Sequence, residues 1–161
     1  MEKLTQSLET YLLAIDNLLQ EKKTIIVKDV ANYLKIGGAS TADAIKKLKE
    51  KGYINYKPYE NITLTSIGEE AILLKKYRHN TIKHFLNKVL DIEQNDAEEN
   101  ANAIEYSMTK DVFIKLVNYM DFMEQCSCAE PKWQKSCKSY LQNGKLSEKC
   151  STCTGSCCCG K

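Results

Sequence analysis

The stretch STADAIKKLKEKGYINYKPYENITLT, residues 40–65, carries the strongest signal of the fold class. Ser40 or Thr41 is placed to cap a helix that runs to Lys51, where Gly52 ends it. The following YINYKPYENITL contains two short runs of strand-forming residues, and its PYEN favours a turn between them. The stretch therefore predicts a helix followed directly by a β-hairpin that carries Lys57.

Two more helices are predicted before this stretch. Apolar side chains recur at helical spacing over residues 5–20, and VKDVANYL, residues 27–34, is typical of a second, shorter helix. Gly37 and Gly38 give the backbone the freedom to turn before the third helix. A helix, a helix–turn–helix and a hairpin in this order predict a winged helix–turn–helix over residues 1–64.

The rest of the chain is predicted to be helical up to the cysteines. Thr65 is placed to cap a long helix that ends near residue 90, and two more helices are predicted at about 93–107 and 109–124. From Cys126 onward the apolar periodicity fades. We therefore predict a mainly α-helical protein with a second, helical domain over residues 65–124 and a cysteine-rich tail over residues 125–161.

Charge and hydropathy narrow the class of partner. Residues 1–78 hold 13 lysines and arginines against 10 acidic residues, whereas residues 79–122 hold 4 against 8. A basic first segment favours a polyanionic partner, and an acidic second segment favours protein. No apolar run approaches the length of a membrane span, and the first residues lack the pattern of an export signal. We therefore expect a cytoplasmic protein that contacts no membrane.

The third helix is the expected recognition helix for double-stranded DNA. In a winged helix–turn–helix the first turns of this helix enter the major groove, while basic residues and the wing bind phosphates. A small helical protein with a lysine-coated helix, or a winged protein-interaction module, is the alternative. The side chains expected to contact DNA are Lys28, Ser40, Thr41, Lys46, Lys47 and Lys57.

All eight cysteines lie between Cys126 and Cys159, which favours metal ligation or redox chemistry in a reducing compartment. The spacing C-x-x-C-x-x-x-C at Cys150, Cys153 and Cys157 allows three thiolates to face one Zn(II) ion or iron–sulfur cluster. Spacing alone separates neither the two kinds of centre nor the candidates for a fourth ligand. Those candidates are Cys126, Cys128 and Cys137.

Several segments resemble the DtxR/MntR family of metal-dependent repressors. They are SLETYLLAIDNL, VKDVANYL, the run KKLKEKGYINYKPYENITLTSIGE and, at the family's spacing, YRHNTIKHFL; the match runs from residue 4 to residue 116. The resemblance implies a winged helix–turn–helix followed by a helical dimerisation and metal-sensing domain. It also implies a homodimer that represses metal-homeostasis genes from palindromic operators.

The resemblance implies an Fe(II) or Mn(II) site with ligands from the first helix, the long linking helix and the next helix. His79 and Glu105 match ligands of that site and are the remaining metal candidates there. Lys83, four residues after His79, stands at the position of an ancillary glutamate, where its charge repels a dication. We therefore expect a hydrogen-bonded pair of His79 and Glu105 in place of the metal.

The other positions of the family's metal site carry unsuitable side chains. Thr10 and Leu13 stand where manganese-type members have carboxylates. Asn102 replaces a glutamate or cysteine, and Tyr106 replaces a histidine. Two ligands together with an amide and a phenol make a poor cage for a dication, which must lose most of its water on binding.

These observations favour a regulator whose DNA affinity is set by a centre in the tail. An iron–sulfur cluster is preferred to Zn(II), because the family regulates iron and its ordinary iron site is largely missing. The alternatives are a zinc centre that only holds the tail in place, without regulating DNA binding, and a metal-storage or delivery module with a winged fold. An enzyme is not expected, because Cys150 and Cys153 lack the βαβ setting of a thiol oxidoreductase.

Overall fold

A computed structural model of the chain describes residues 4–22, 24–58, 60–125 and 132–144. Over these residues the protein is mainly α-helical, as predicted, with one two-stranded antiparallel hairpin. None of the described helices is long and apolar enough to cross a membrane. In chain order the elements are α1 (Gln6–Glu21), α2 (Val27–Leu34), α3 (Gly38–Glu50), β1 (Ile54–Asn55), β2 (Thr63–Leu64), α4 (Ser66–Lys88), α5 (Gln94–Ser107), α6 (Lys110–Gln125) and α7 (Lys132–Asn143).

The chain forms two compact units, residues 1–77 and residues 78–161, and the division falls within α4. In the first unit, α1, α2, α3 and the hairpin surround a mainly aliphatic core. Burial of one such side chain contributes about 1.5–3 kcal/mol, so this core fixes the arrangement of the three helices. Its fully buried members include Ile15, Ile25, Ile45, Leu48 and Ile62.

The two ends of α2 set the turn that leads into α3. At its start, the Ile26 N–H donates to the Asp29 carboxylate at 2.9 Å, which satisfies a backbone donor that lacks a partner within the helix. At its end, Lys35 has a left-handed backbone with φ of 56°. The Ile36 N–H then donates to the Ala31 carbonyl at 3.0 Å. This hydrogen bond is typical of helix ends at which a residue in the left-handed conformation, usually glycine, follows the helix.

Helix α3 begins earlier than the sequence predicts. Gly38 is its first residue and Gly37 its N-cap, so neither Ser40 nor Thr41 caps it. The Thr41 hydroxyl instead donates to the Gly37 carbonyl at 3.1 Å, within the helix. A threonine one turn inside a helix often satisfies its hydroxyl in this way, and a sequence pattern does not distinguish this role from a cap.

The hairpin is the predicted wing, with strands of two residues each. Asn55 lies opposite Thr63 in the antiparallel register. Thr65 caps α4 as predicted, because the Gly68 N–H donates to its hydroxyl oxygen at 3.1 Å. The same hydroxyl donates to the Gly52 carbonyl at 2.6 Å. One side chain therefore ties the end of α3 and the base of the wing to the start of α4.

The second unit is built on the end of α4 and on α5 and α6, two helices that the sequence predicted. Ile82 and Leu86 of α4 form a small buried cluster with Ala97 and Ala101 of α5. Alanines at these positions leave room for larger side chains of the facing helix, so the two helices pack closely. This packing aligns the polar side chains that α4 and α5 present to each other.

Helix α7 lies in the tail, where no helix was predicted. Its segment KWQKSCKSYLQN is largely polar, so it offers few apolar positions from which a helical period can be recognised. Near its end, the Gln142 side-chain amide donates to the Asp91 carboxylate at 3.0 Å. Helix α7 therefore contacts the turn between α4 and α5.

Candidate nucleic-acid interface and metal centre

Helix α3 presents a polar face away from the core of the first unit. Ile45 and Leu48 are buried, whereas Ser40, Lys46 and Lys47 are exposed. No side chain caps the start of α3, so backbone N–H groups of its first turn are available to a phosphate. A face of this composition suits a helix that enters a groove of DNA.

Thr41 does not belong to this face. Its side chain is 0% exposed, and its hydroxyl is used by the Gly37 carbonyl. A buried side chain contacts neither a base edge nor a phosphate unless the helix unfolds. The prediction of Thr41 as a DNA contact is therefore wrong, and its role is to stabilise the start of α3.

Two more of the expected DNA contacts, Lys28 on α2 and Lys57 in the wing, are exposed. The Lys57 Nζ atom lies 3.6 Å from the carboxylate of Glu60, and the Lys46 Nζ atom lies 4.0 Å from that of Glu50. Exposed pairs of this kind contribute about 0–1 kcal/mol. Both ammonium groups therefore remain accessible to a phosphate.

Lys35 is a further exposed cation, in the turn between α2 and α3. It was not among the expected DNA contacts, because the two glycines that follow it dominate the turn signal in the sequence. A lysine in the left-handed conformation is uncommon, and no local sequence pattern predicts this conformation. Its position beside the start of α3 makes it an additional candidate for phosphate contact.

His79, Lys83 and Glu98 form one polar cluster, which we call the Lys83 cluster. The His79 Nε2 atom lies 2.9 Å from the Glu98 Oε1 atom, and the Lys83 Nζ atom lies 2.6 Å from the Glu98 Oε2 atom. Both oxygens of the carboxylate are thus engaged by side chains of α4. The hydrogen bond from Lys83 is the main cause that holds the pKa of Glu98 below its ordinary value.

The expected hydrogen-bonded pair of His79 and Glu105 is not formed. His79 contacts Glu98 instead, and Glu105 faces Arg78, whose Nε atom lies 3.9 Å from the Glu105 Oε1 atom. Glu105 is only 4% exposed, and a buried carboxylate requires a compensating charge. Arg78 supplies that charge, while its guanidinium carbon lies 4.6 Å from the centre of the Phe113 ring.

The remaining positions of the family's metal site do not provide ligands. The Thr10 hydroxyl donates to the Gln6 carbonyl at 3.0 Å, and the Asn102 amide donates to the Glu98 backbone carbonyl at 3.1 Å. Among the residues that the structure describes, no group of three or more histidine, cysteine or acidic side chains is arranged to hold a metal ion. The ammonium of Lys83 also occupies one oxygen of the Glu98 carboxylate. The described residues at these positions therefore do not fit Fe(II) or Mn(II).

Cys137 lies on α7, half-buried, with a free thiol. The other proposed ligands of the tail centre fall outside the described residues. They are Cys126, Cys128, Cys150, Cys153 and Cys157.

Two family models match this chain in succession. The model described as "Iron dependent repressor, N-terminal DNA binding domain" matches residues 3–62. The model described as "Iron dependent repressor, metal binding and dimerisation domain" matches residues 65–134. The chain belongs to the iron-dependent repressor family. This is the DtxR/MntR family that its sequence resembles.

Curated relatives agree with this assignment. The HTH-type transcriptional regulator MJ0568 of Methanocaldococcus jannaschii is 33% identical over 119 residues, which cover 73% of this chain and 95% of the relative. The HTH-type transcriptional regulator MntR of Shouchella clausii is 25% identical over 121 residues, which cover 75% of this chain and 84% of that protein.

Solved structures share the fold. The hypothetical protein SSo2273 from Sulfolobus solfataricus has a TM-score of 0.64 and 25% identity, over 73% of this chain and 89% of that one. IdeR from T. acidophilum has a TM-score of 0.58 and 21% identity, over 75% of this chain and 56% of that one. This repressor therefore spans little more than half the length of IdeR.

Iron-dependent repressors are dimeric, DNA-binding transcriptional regulators that respond to divalent metals. This member is accordingly a DNA-binding, metal-responsive regulator and not an enzyme. The exposed face of α3, together with β1 and Lys57 of the wing, lies within the residues that match the DNA-binding model; that match ends at residue 62, just before β2.

Proposed function

We propose that this iron-dependent repressor is a homodimer that represses metal-homeostasis genes, and that a metal or iron–sulfur centre in its tail sets its operator affinity. In this proposal residues 1–64 bind DNA, residues 65–124 dimerise and residues 125–161 hold the centre. The observation that carries the DNA-binding part is the exposed polar face of α3 beside an exposed, lysine-bearing wing.

The proposed DNA target is a palindromic operator, because a two-fold symmetric dimer places two copies of α3 against two half-sites. Exposed lysines bind phosphate and release counterions, so affinity falls as salt rises. The proposed contacts are Lys28, Ser40, Lys35, Lys46, Lys47 and Lys57.

The proposed tail centre is held by Cys150, Cys153 and Cys157, with a fourth ligand from Cys126, Cys128 or Cys137. Closely spaced thiolates suit both an iron–sulfur cluster and Zn(II). We favour the cluster, because the helical positions that bind iron in the family carry unsuitable side chains here. A cluster also responds to iron supply and to oxidants, whereas zinc has no redox chemistry.

The position of α7 supports a link between the tail and the dimerisation domain. Cys137 lies on this helix, and Gln142 of the same helix donates to Asp91 in the α4–α5 turn at 3.0 Å. Ligation at Cys137 changes the constraints on α7, and the contact with Asp91 carries that change toward α4 and α5. This coupling requires that the tail with a bound centre and the tail without it differ in the contact between Gln142 and Asp91.

The test is to purify the full chain without oxygen and to measure iron, acid-labile sulfide and zinc together with operator binding. The key variant replaces Cys150, Cys153 and Cys157 by serine. Its matched control replaces Cys158 and Cys159, which lie outside the proposed ligand set. We expect the first variant to lose the centre and the metal dependence of operator binding, and the control to keep both.

Other outcomes separate the alternatives. Stoichiometric zinc in the full chain, together with unchanged regulation in the triple variant, would indicate that the tail centre has only a structural role. High metal content without salt-dependent operator binding would favour a storage or delivery module. Iron and sulfide in similar amounts, with operator binding that changes on their removal, would support the sensor.

A further inference from the structure

The Lys83 cluster joins α4 to α5 through a single carboxylate. Lys83 and His79 stand one turn apart on α4, so their side chains lie on the same face of that helix. Glu98 of α5 reaches both of them, at 2.6 Å from the ammonium nitrogen and 2.9 Å from the imidazole nitrogen. The cation, the imidazole and the carboxylate thus form one compact contact between two helices.

The α4 side of this contact is partly shielded from solvent, whereas the Glu98 side is exposed. The side chains of His79 and Lys83 are 15% and 26% exposed, and that of Glu98 is 49% exposed. Charge-assisted hydrogen bonds at such short distances are stronger than those between neutral groups.

We propose that the Lys83 ammonium is a built-in cation that ties α4 to α5 in place of a divalent metal and closes this site to Fe(II) and Mn(II). A metal ion that approached His79 and Glu98 would meet a positive charge already bound to the carboxylate. If the lysine moved away, two protein ligands would remain, which is too few to replace most of the water around such an ion. This proposal concerns a different site from the tail centre, so it holds whatever the tail binds.

The substitution Lys83→Glu provides the sharpest test, because it exchanges the built-in cation for a third ligand. His79, the new carboxylate and Glu98 would then be a set that suits Mn(II). The probe is Mn(II) added to the full chain, with unbound Mn(II) measured by electron paramagnetic resonance. Mn(II) prefers carboxylate and imidazole to thiolate, so the tail cysteines compete little.

We expect Lys83→Glu to bind Mn(II) at least about tenfold more tightly than the wild type, since one negative ligand is gained and one positive charge is lost. Adding His79→Ala to this variant should remove the gain. Lys110→Glu, at an exposed position at the start of α6, makes the same change of charge elsewhere in the second unit and should leave Mn(II) binding at the wild-type level.

A second variant tests the same proposal if Lys83→Glu does not fold. Lys83→Gln removes the charge at similar length and should raise Mn(II) affinity above the wild type by a smaller factor. Lys83→Arg retains a cation and should bind Mn(II) no better than the wild type. The proposal is overturned if wild-type Mn(II) binding is lost on His79→Ala, or if neither Lys83→Glu nor Lys83→Gln gains affinity.

Discussion

At the scale of single residues, Ser40 and Thr41 show how neighbouring hydroxyl side chains take different roles. The helix that begins at Gly38 turns Thr41 into the core of the first unit and leaves Ser40 exposed. The sequence identifies both as hydrogen-bonding residues near a helix start. It does not show which one faces outward, because that depends on where the helix begins to within one residue.

Ser40→Ala and Thr41→Val are expected to affect different properties. Loss of the exposed hydroxyl should weaken operator binding by roughly two- to tenfold, the equivalent of one hydrogen bond. Loss of the buried Thr41 hydroxyl should lower the free energy of unfolding by about 0.5–1.5 kcal/mol without changing operator affinity. Urea denaturation and fluorescence anisotropy with a labelled operator measure the two effects. Weaker operator binding by a fully folded Thr41→Val would contradict the assignment.

Lys35 has the other unusual residue-scale feature, a left-handed backbone. Glycine adopts this conformation without the steric cost of a side chain, so Lys35→Gly should raise the free energy of unfolding by about 0.5–1 kcal/mol. Lys49→Gly, in the last turn of α3, is the control and should lower it by about 1 kcal/mol. Chemical denaturation measures both, and equal destabilisation by the two substitutions would show that the turn does not require this conformation.

At the scale of elements, the short helix α2 depends on its first turn. The Asp29 carboxylate accepts from the Ile26 N–H at 2.9 Å and lies 3.3 Å from the Lys22 ammonium. The backbone hydrogen bond is the main cause that lowers the pKa of Asp29 below its ordinary value. Because the folded protein favours the charged carboxylate, this group stabilises the fold above the ordinary aspartate pKa. That contribution is lost as the pH falls through the lowered pKa.

The substitution Asp29→Ala should therefore destabilise the protein most at neutral pH. We expect a loss of about 0.5–2 kcal/mol there, the usual range for removal of a helix cap. The difference from the wild type should shrink as the pH falls below the ordinary aspartate pKa. Denaturation curves recorded across this pH range test the trend, with Asp43→Ala, an exposed aspartate of α3, as the control. A difference that is independent of pH would rule out the cap.

The elements that the sequence predicted are those with a clear apolar period or a strong cap. Helices α1 to α6 and the wing fall in this class, and Thr65 caps α4 as expected. Helix α7 was missed because its segment is largely polar. Glu98 was not assigned to His79, since 19 residues separate them and only the packing of α4 on α5 brings them together. Local patterns thus predicted the elements, whereas the contacts of the cluster required the packing.

At the scale of the whole molecule, the described part of the second unit leaves several large apolar side chains exposed in the single chain. Its buried cluster rests on a few residues of α4 and α5, while several apolar side chains of α6 are exposed in the single chain. Exposed apolar side chains mark an interface when they form a large patch, and the family is dimeric. The exposed apolar side chains of α6 include Val112, Tyr119 and Phe122.

Phe122 is 65% exposed in the single chain, and we expect it to lie in the dimer interface. Phe122→Glu removes an aromatic side chain worth about 1.5–3 kcal/mol of burial and places a charge there. The dimer dissociation constant should rise at least about tenfold, with weaker operator binding as a consequence. Light scattering over a range of protein concentrations measures this change. The control Lys110→Glu should remain dimeric, and a dimeric Phe122→Glu would place the interface elsewhere.

The contact between Lys83 and Glu98 also has an evolutionary consequence. Lysine and glutamate codons differ by one base, at the first position. The chain therefore stands a single nucleotide substitution away from three potential metal ligands, namely His79, Glu98 and a new carboxylate at position 83. A lineage with this architecture can exchange a permanent internal charge for a dependence on the metal supply of the cell, and reverse the exchange, by point mutation alone.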